Sequence, residues 1–301
     1  MEEKYLIWHV QGGLGKNVAA TALCQDIKEK YPDRKFILVC SWPEIFLNNS
    51  YIDKVYGLHN LSYFYENYIE NKDVIIFKQE PYEQTGHITK KKHLIENWCD
   101  ILNISYQNQQ PTIPINYSQQ QLILKWKRDK PILLLQTNGG PLFLNSNPTE
   151  NILPYHWTRD IPQELSQAIV SKYFNNYHII HVTRQGGYTL ENVERLDYEV
   201  SSMELLALVA SSQKRILIDS CLQHMAASLS LISNVIWIGT NPTSFGYSLH
   251  NNILSKQPKN LHQLINSYLF DYNFSNNTHE CPYTNVTEIF DIPQVLNHLG
   301  N

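Results

Sequence analysis

The second half of the chain contains the run Arg215-Ile216-Leu217-Ile218-Asp219-Ser220-Cys221-Leu222-Gln223-His224-Met225-Ala226-Ala227-Ser228, followed by Val235-Ile236-Trp237-Ile238-Gly239-Thr240-Asn241-Pro242-Thr243. A short apolar run that ends in polar turn residues is typical of a buried strand, and small residues at helical spacing follow it. We therefore predict a strand over 215–219, a helix over 222–231 and a strand over 235–239. Strands joined by a helix are typical of a parallel sheet in an α/β protein.

The same alternation extends through the rest of the second half. The apolar run 132–136 is followed by a turn with two glycines, Thr137-Asn138-Gly139-Gly140. Further periodicity predicts a strand over 177–183 and helices over 118–128, 162–174 and 202–210. We therefore predict a complete Rossmann-like unit in the second half.

A comparable unit begins the chain, where the apolar run Tyr5–Val10 ends in Gln11-Gly12-Gly13-Leu14-Gly15. Apolar runs and helical spacing predict strands over 5–10, 36–40 and 74–77 and helices over 17–30 and 93–101. Periodicity is lost over 103–114, so we predict two domains, residues 1–115 and 116–301. We expect the last helix, 292–299, to pack back on the first domain, and a ligand cleft where the carboxyl ends of both sheets meet.

The composition excludes several classes of protein. The chain has 301 residues, of which 43% are hydrophobic and 17% charged, and a net charge of −4. These values exclude intrinsic disorder and a broad basic surface for nucleic acid, and no run approaches the ~20 apolar residues of a membrane span. The first ten residues do not resemble a secretory signal, so we expect a cytoplasmic protein.

Cysteine and histidine are scattered along the sequence. The five cysteines are odd in number and never in CxxC spacing, and the twelve histidines show no HExxH pattern. Such usage favours reduced thiols over a disulfide framework or a zinc site. We expect chemistry without a metal.

The first glycine turn does not fit the common nucleotide-binding motifs. Val10 stands where a Walker A loop needs its first glycine, and Asn17 replaces the residue that holds magnesium. No third glycine completes a dinucleotide GxGxxG pattern either. What is left is a strand end and a helix N-terminus, which suit an anion or a sugar, and the alternative is a plain tight turn at Gly12, Gly13 and Gly15.

The quoted run resembles the nucleotide-sugar half of the heptosyltransferase-like glycosyltransferases of GT-B fold. That family's pattern is strand, Asp-[Ser/Thr]-Gly-x-x-His, small-residue helix, strand and Gly-Pro-Thr-[Asp/Asn]-Pro. Cys221 replaces the family glycine and Thr240 the family proline. The matching positions are Asp219, Ser220, His224, Ala226, Ala227, Gly239 and Pro242.

The first half is also similar to that family, in Gln11-Gly12-Gly13-Leu14-Gly15, the small residues Ala19 to Leu23, and Lys30-Tyr31-Pro32-Asp33 before a strand. The resemblance covers most of residues 4–245 in order. It implies two Rossmann-like domains that face an interdomain cleft.

The resemblance implies a nucleotide-diphosphate-sugar donor, which is a substrate, with no separate cofactor. The departing diphosphate carries concentrated negative charge, which a helix N-terminus and hydroxyls can stabilise. The donor-binding positions that we predict are Gly12, Gly13, Gly15, Thr137, Asn138, Gly139, Arg159, Glu204, Asp219, Ser220, Cys221, Leu222 and Gln223.

Three of these positions, and also His224, have an ordinary structural alternative. Asp219 fits either the site or the N-cap of its helix, and His224 fits either a phosphate donor or a half-buried histidine. Arg159 resembles the family's phosphate-binding cation, but it also suits a solvated helix start. Glu204 resembles the family's ribose-side or base-side acid, but Ser201 and Glu204 also form a capping box.

The main departure from the family is Lys16. Family members that invert the anomeric carbon commonly carry an aspartate directly after the glycine turn, where it deprotonates the acceptor hydroxyl, and a lysine is a poor base. We predict catalytic roles for Lys16 and His224. Lys16 could pair with a phosphate, or another carboxylate such as Glu80 could be the base. A loss of activity is the third possibility.

The leading hypothesis is a metal-independent hexosyl or heptosyl transfer from a nucleotide-diphosphate sugar to an acceptor hydroxyl. The alternatives are a catalytically silent nucleotide-sugar binding protein on the same scaffold and another two-domain nucleotide-sugar enzyme such as an epimerase. The sequence leaves the acceptor open among glycan, lipid, protein and nucleic acid, because the tyrosine-rich stretch 51–82 suits either a sugar wall or a core.

Overall fold

The computed structural model describes residues 3–139, 159–256, 283 and 288–300. Within these residues the chain forms two parallel sheets, which we call the first and second lobes. Gly140, Trp157, Thr158, Cys281 and most of the tail after residue 256 lie outside the described residues.

The first lobe is a four-stranded sheet in the order β3-β2-β1-β4, with every pair parallel. Its strands are β1 (Lys4–Val10), β2 (Lys35–Cys40), β3 (Lys54–Gly57) and β4 (Asp73–Phe77). Its helices are α1 (Leu14–Ala20), α2 (Cys24–Lys30), α3 (Phe64–Tyr68), α4 (Thr85–Ile88) and α5 (Leu94–Leu102).

The second lobe is a six-stranded parallel sheet in the order β10-β9-β8-β5-β6-β7. Its strands are β5 (Ile132–Gln136), β6 (His178–Val182), β7 (Glu194–Leu196), β8 (Lys214–Ile218), β9 (Asn234–Trp237) and β10 (Asn251–Leu254). Its helices are α6 (Tyr117–Lys125), α7 (Gln163–Tyr173), α8 (Ser202–Ser211), α9 (Cys221–Ser228), α10 (Pro242–Phe245) and α11 (Ile292–His298).

The α/β class that the sequence predicts is confirmed, and each of the seven predicted strands is found to within a few residues. The sequence did not predict β3, β7 or β10, because these short edge strands contain few apolar residues. The helix predicted over 17–30 is two helices joined by a 3₁₀ turn at Thr21–Leu23. The predicted domain boundary falls in the stretch between α5 and α6, which contains neither helix nor strand.

One buried core is shared by the two lobes. Alternate residues of a strand point to opposite faces of the sheet, so β1 sends Leu6 and Trp8 to the shared core and Tyr5 and Ile7 to the other face. The shared core continues into the second lobe through Leu134, Leu217, Leu222 and Ala226. Apolar packing therefore holds the lobes together. Burial of apolar surface stabilises a fold by about 25 cal/mol per Å².

The last helix does not pack where we expected. α11 lies on α7 of the second lobe, with Val295 and Leu299 in the core of that lobe. Tyr173 on α7 donates a hydrogen bond to the Leu299 carbonyl oxygen, and Lys172 donates one to Leu296. The expectation that the helix packs back on the first domain is wrong, because the apolar side chains of α11 are buried in the core of the second lobe.

No helix among residues 3–139, 159–256 and 288–300 combines the length and apolar character that crossing a membrane requires.

Candidate functional site

The first glycine turn is fixed by its neighbours at the carboxyl end of β1. Gly12 has a φ of +112°, which favours glycine, and its N–H donates to the Ser41 hydroxyl at 3.0 Å. The buried Asn17 amide donates to the carbonyl oxygens of Gly12 and Gly13 at 3.3 and 3.0 Å. Asn17, which excluded a Walker A loop, is therefore the side chain that closes this turn.

Gly15 lies at a close contact between the two lobes. A Cβ atom on Gly15 would lie 2.8 Å from His224 Cδ2 and 3.2 Å from the Cα of Cys221. α1 therefore packs directly on α9, and only glycine permits this approach. By contrast, a Cβ on Gly13 would meet nothing within 4 Å. The predicted meeting of the glycine turn with the Asp219–His224 segment is present in the structure.

We call Lys16, Glu80, Arg159 and Asp219 the charged cluster. Lys16 is only 8% exposed, and its Nζ lies 2.5 and 2.6 Å from the two carboxylate oxygens of Glu80. The same Nζ lies 4.6 Å from the centre of the Tyr82 ring. Burial lowers the pKa of Lys16, while the Glu80 carboxylate opposes that shift.

The second lobe contributes the other half of the charged cluster. Arg159 Nε lies 3.9 Å from Asp219 Oδ2, and the Arg159 side chain is 46% exposed. Burial raises the pKa of Asp219, while Arg159 and a hydrogen bond with Thr240 lower it. Burial and the charge of Asp219 raise the pKa of the Tyr82 hydroxyl, which places this first-lobe ring within electrostatic range of the second lobe.

The N-terminus of α9 excludes the N-cap alternative for Asp219. Ser220, and not Asp219, is the N-cap residue, and its side chain makes no capping hydrogen bond. A Cβ on Gly139 would lie 3.0 Å from Ser220 Oγ, so the loop after β5 lies against this helix end. Burial raises the pKa of the Cys221 thiol, so it stays neutral at neutral pH.

The loop after β5 is held by its own second-lobe neighbours. Thr137 Oγ1 lies 2.7 Å from His181 Nε2. Asn138 donates to Thr183 Oγ1 at 2.9 Å and accepts from the Arg184 N–H at 2.7 Å. The Thr137 and Asn138 side chains therefore hold this loop in place, and Gly139 forms its contact with α9.

We call His93, His224 and His250, with Tyr247 at their centre, the histidine cluster. The centre of the Tyr247 ring lies 5.4, 5.5 and 5.8 Å from the ring centres of His93, His224 and His250, respectively. Tyr247 and His93 were not predicted from the sequence, because His93 of the first lobe meets Tyr247 of the second only in the folded protein. The only sequence signal was the density of aromatic residues and histidines.

Both ring nitrogens of His224 are engaged inside the protein. Nδ1 lies 2.7 Å from the Tyr247 hydroxyl, and Nε2 lies 3.1 Å from the Gln223 amide nitrogen. That amide also donates to the Phe245 carbonyl oxygen at 2.9 Å. Burial lowers the pKa of His224 to about 3, so the ring is neutral at neutral pH. This arrangement favours the half-buried structural alternative over a phosphate donor.

Two further predicted positions serve the fold of the second lobe. Glu204 accepts hydrogen bonds from the Ser201 N–H and hydroxyl, while Ser201 Oγ accepts from the Glu204 N–H, which is a complete capping box. Leu222 is fully buried in the shared core. Capping and packing are thus the roles that the contacts of these two side chains show.

Within the described parts of the chain, no group of three or more His, Cys, Asp or Glu side chains could hold a metal ion.

Solved structures of glycosyltransferases resemble the whole chain. No family model and no curated protein sequence matches it. A glycosyl transferase family 9 protein from Veillonella parvula superposes with a TM-score of 0.65 at 13% identity, covering 99% of this chain and 97% of that one. E. coli ADP-heptose LPS heptosyltransferase II superposes with a TM-score of 0.62 at 10% identity, covering 98% of each chain.

A third similar structure is the E. coli heptosyltransferase TibC in complex with ADP-D-β-D-heptose, with a TM-score of 0.66 at 11% identity over 99% of this chain and 77% of that one. The chain has a GT-B-like fold. The predicted resemblance to heptosyltransferase-like glycosyltransferases is confirmed at the level of the fold.

The GT-B-like fold explains why the site residues converge. The glycine turn follows β1, Glu80 follows β4, and Asp219 follows β8, so all three leave the carboxyl ends of parallel strands. Ligands of open α/β sheets bind at such ends. The charged cluster lies where these ends of the two lobes meet.

Proposed function

We propose that this protein is a glycosyltransferase that moves a sugar from a nucleotide-diphosphate donor to an acceptor hydroxyl. One observation carries the proposal: the glycine turn packs against the start of α9. A charged pair from each lobe, Lys16 with Glu80 and Arg159 with Asp219, lies beside this contact. Such an arrangement suits a substrate that consists of an anionic diphosphate and a neutral sugar at which the reaction takes place.

The second lobe supplies the groups that stabilise the leaving diphosphate. Arg159 keeps nearly half of its side chain exposed, and its planar guanidinium can bind two phosphate oxygens at once. The first N–H groups of α9 and the Ser220 hydroxyl add donors at the positive end of a helix dipole. These donors are fixed before the substrate binds, so they stabilise the charge that develops on the diphosphate.

In this proposal His224 is a positioning residue. Its ring packs on Gly15, and both its nitrogens bind protein groups. It therefore sets the distance between α1 and α9, and through that contact it aligns the groups from the two lobes.

The pairing of Lys16 with Glu80 supports a second candidate, a nucleotide-sugar binding protein without activity, because the family aspartate is absent. Both candidates bind nucleotide diphosphates, and only the enzyme releases the diphosphate from a donor sugar. We propose that the reaction needs no metal, so a chelator should leave the rate unchanged.

The experiment measures binding of ADP, UDP, GDP and their sugar conjugates by calorimetry, and then hydrolysis or transfer of each bound donor. We expect one nucleotide diphosphate to bind, and Arg159→Gln to weaken its binding by about tenfold, since a hydrogen bond to a charged group contributes about 1.5–3 kcal/mol. Arg128→Gln, which alters an arginine paired with Glu194 beside the opposite ends of the strands, is the matched control. Absence of binding by every nucleotide diphosphate, or equal affinity in both variants, would contradict the proposal.

A further inference from the structure

We infer that Glu80 is the general base of the proposed transfer and that Lys16 holds its carboxylate in place. This inference rests on the proposed function and assigns the step that the family aspartate performs in related sequences. In this chain the carboxylate comes from the loop after β4, and the residue after the glycine turn is the cation that binds it.

The carboxylate of Glu80 is fixed from two directions. Lys16 Nζ contacts both of its oxygens, at 2.5 and 2.6 Å. The Tyr82 N–H donates to Oε1 at 3.4 Å, because Glu80 is the N-cap of the 3₁₀ turn Pro81–Glu83. These two contacts orient the carboxylate, and a general base must be held within hydrogen-bond reach of the proton that it removes.

Glu80 is also accessible, whereas Lys16 is not. The Glu80 side chain is 22% exposed and that of Lys16 is 6% exposed. A buried ammonium needs a carboxylate partner, so Lys16 binds Glu80 strongly from the buried side of the pair. The exposed part of the carboxylate is left for a hydroxyl group of a substrate.

Tyr82 connects this carboxylate to the donor side. Its ring covers Lys16 Nζ, and its hydroxyl interacts electrostatically with both Asp219 and Arg159. Tyr82 therefore lies near both the Lys16–Glu80 pair and the Arg159–Asp219 pair.

The chemical step is a direct displacement at the anomeric carbon. The acceptor oxygen forms a bond to that carbon while its proton moves to the Glu80 carboxylate. The bond between the anomeric carbon and the diphosphate oxygen breaks, and its electron pair leaves with the diphosphate. Attack from the face opposite the leaving group inverts the anomeric configuration.

Other titratable groups near the site are worse placed for this step. His224 has both nitrogens occupied. Asp219 is buried on the side of the leaving group, where it binds Arg159 and Thr240. His9 lies within electrostatic range of Lys16 and Glu80, and burial lowers its pKa. As a neutral ring it would be the competing base, so the test includes it.

The test compares Glu80→Gln, Glu80→Ala and His9→Gln with Glu83→Gln, which alters an exposed carboxylate three residues along the chain. We expect Glu80→Gln and Glu80→Ala to lower kcat by on the order of 10²- to 10⁴-fold with donor affinity nearly unchanged. Added formate should restore part of the activity of Glu80→Ala and none of that of Glu80→Gln, because only the alanine variant leaves room for a carboxylate. Lys16→Met should lower kcat without rescue by formate.

The product of the wild-type reaction, examined by NMR, should have the inverted anomeric configuration. Wild-type kcat in Glu80→Gln, a retained configuration, or a loss confined to His9→Gln would overturn the assignment of Glu80 and leave the proposed function standing. A wild-type protein that binds a nucleotide diphosphate and never transfers or hydrolyses its sugar would overturn both.

Discussion

The charged cluster and the histidine cluster lie beside the contact between α1 and α9, to which they contribute Lys16 and His224, and they differ in exposure and charge. The charged cluster keeps Arg159 and Glu80 partly exposed, and each lobe contributes an ion pair. The histidine cluster is buried, and burial lowers the pKa of its three imidazoles.

This difference separates the two residues that sequence analysis assigned to catalysis. Lys16 belongs to the cluster that a substrate can reach through Glu80, whereas His224 belongs to the cluster that joins the lobes. A charged group needs solvent or a charged partner, and a neutral imidazole needs only hydrogen bonds. Matched spacing in the sequence identified both positions and could not distinguish these roles.

The largest effect that we expect is loss of stability in acid, which would test the neutral state of the histidine cluster. Burial lowers the pKa of His93 to about 4 and that of His224 to about 3. Because these values are below the unfolded value near 6.5, the neutral rings contribute stability above pH 6.5 that is lost as the pH falls towards 4. We expect each to lower the free energy of unfolding by about 1 kcal/mol between pH 7 and pH 5.5.

Urea titrations at several pH values measure this loss. His93→Gln should reduce the dependence of the free energy of unfolding on pH. His59→Gln, on the surface, should leave that dependence as it is in the wild type. A stability that does not change between pH 7 and pH 5.5 would mean that the cluster is not neutral and buried, and the contrast between the two clusters would fail.

The second prediction concerns the contact that brings the clusters together. Gly15→Ala introduces a methyl group 2.8 Å from a histidine ring that is held by two hydrogen bonds. We expect a loss of about 1–3 kcal/mol in the free energy of unfolding, together with weaker nucleotide binding, because α1 and α9 must move apart. Gly13→Ala adds a methyl group in open space and is the control. Equal stabilities of the two variants would show that the helices are not in close contact.

The smallest effect concerns the boundary of the donor site. Ser201→Ala removes the N-cap of α8 and should lower the free energy of unfolding by about 1 kcal/mol. Glu204→Gln should leave nucleotide affinity within twofold of the wild type if Glu204 serves only the capping box. A tenfold loss of affinity, measured by calorimetry, would extend the donor site to α8 and support the family-based assignment.

Most of the fold could be predicted from local patterns. Apolar runs such as Ile132–Gln136 are buried on both faces of a parallel sheet, so their sequence alone marks them as strands. Strands such as Lys54–Gly57 lie at a sheet edge and carry little of this signal. The packing of α11 on α7 could not be predicted, because an apolar helix face indicates that it is buried and does not name its partner.

The sequence by itself determined the two-lobed α/β fold and the positions of its glycine turns and of the α9 segment, because these depend on backbone geometry and on the local spacing of apolar residues. Only the tertiary structure decided that Lys16 binds Glu80, 64 residues away, and that the Tyr247 hydroxyl forms a hydrogen bond with His224. Both pairings join elements that are distant along the chain. Burying a charge or a polar group is costly, so each of these groups needs a partner, but its sequence does not show which residue that partner is.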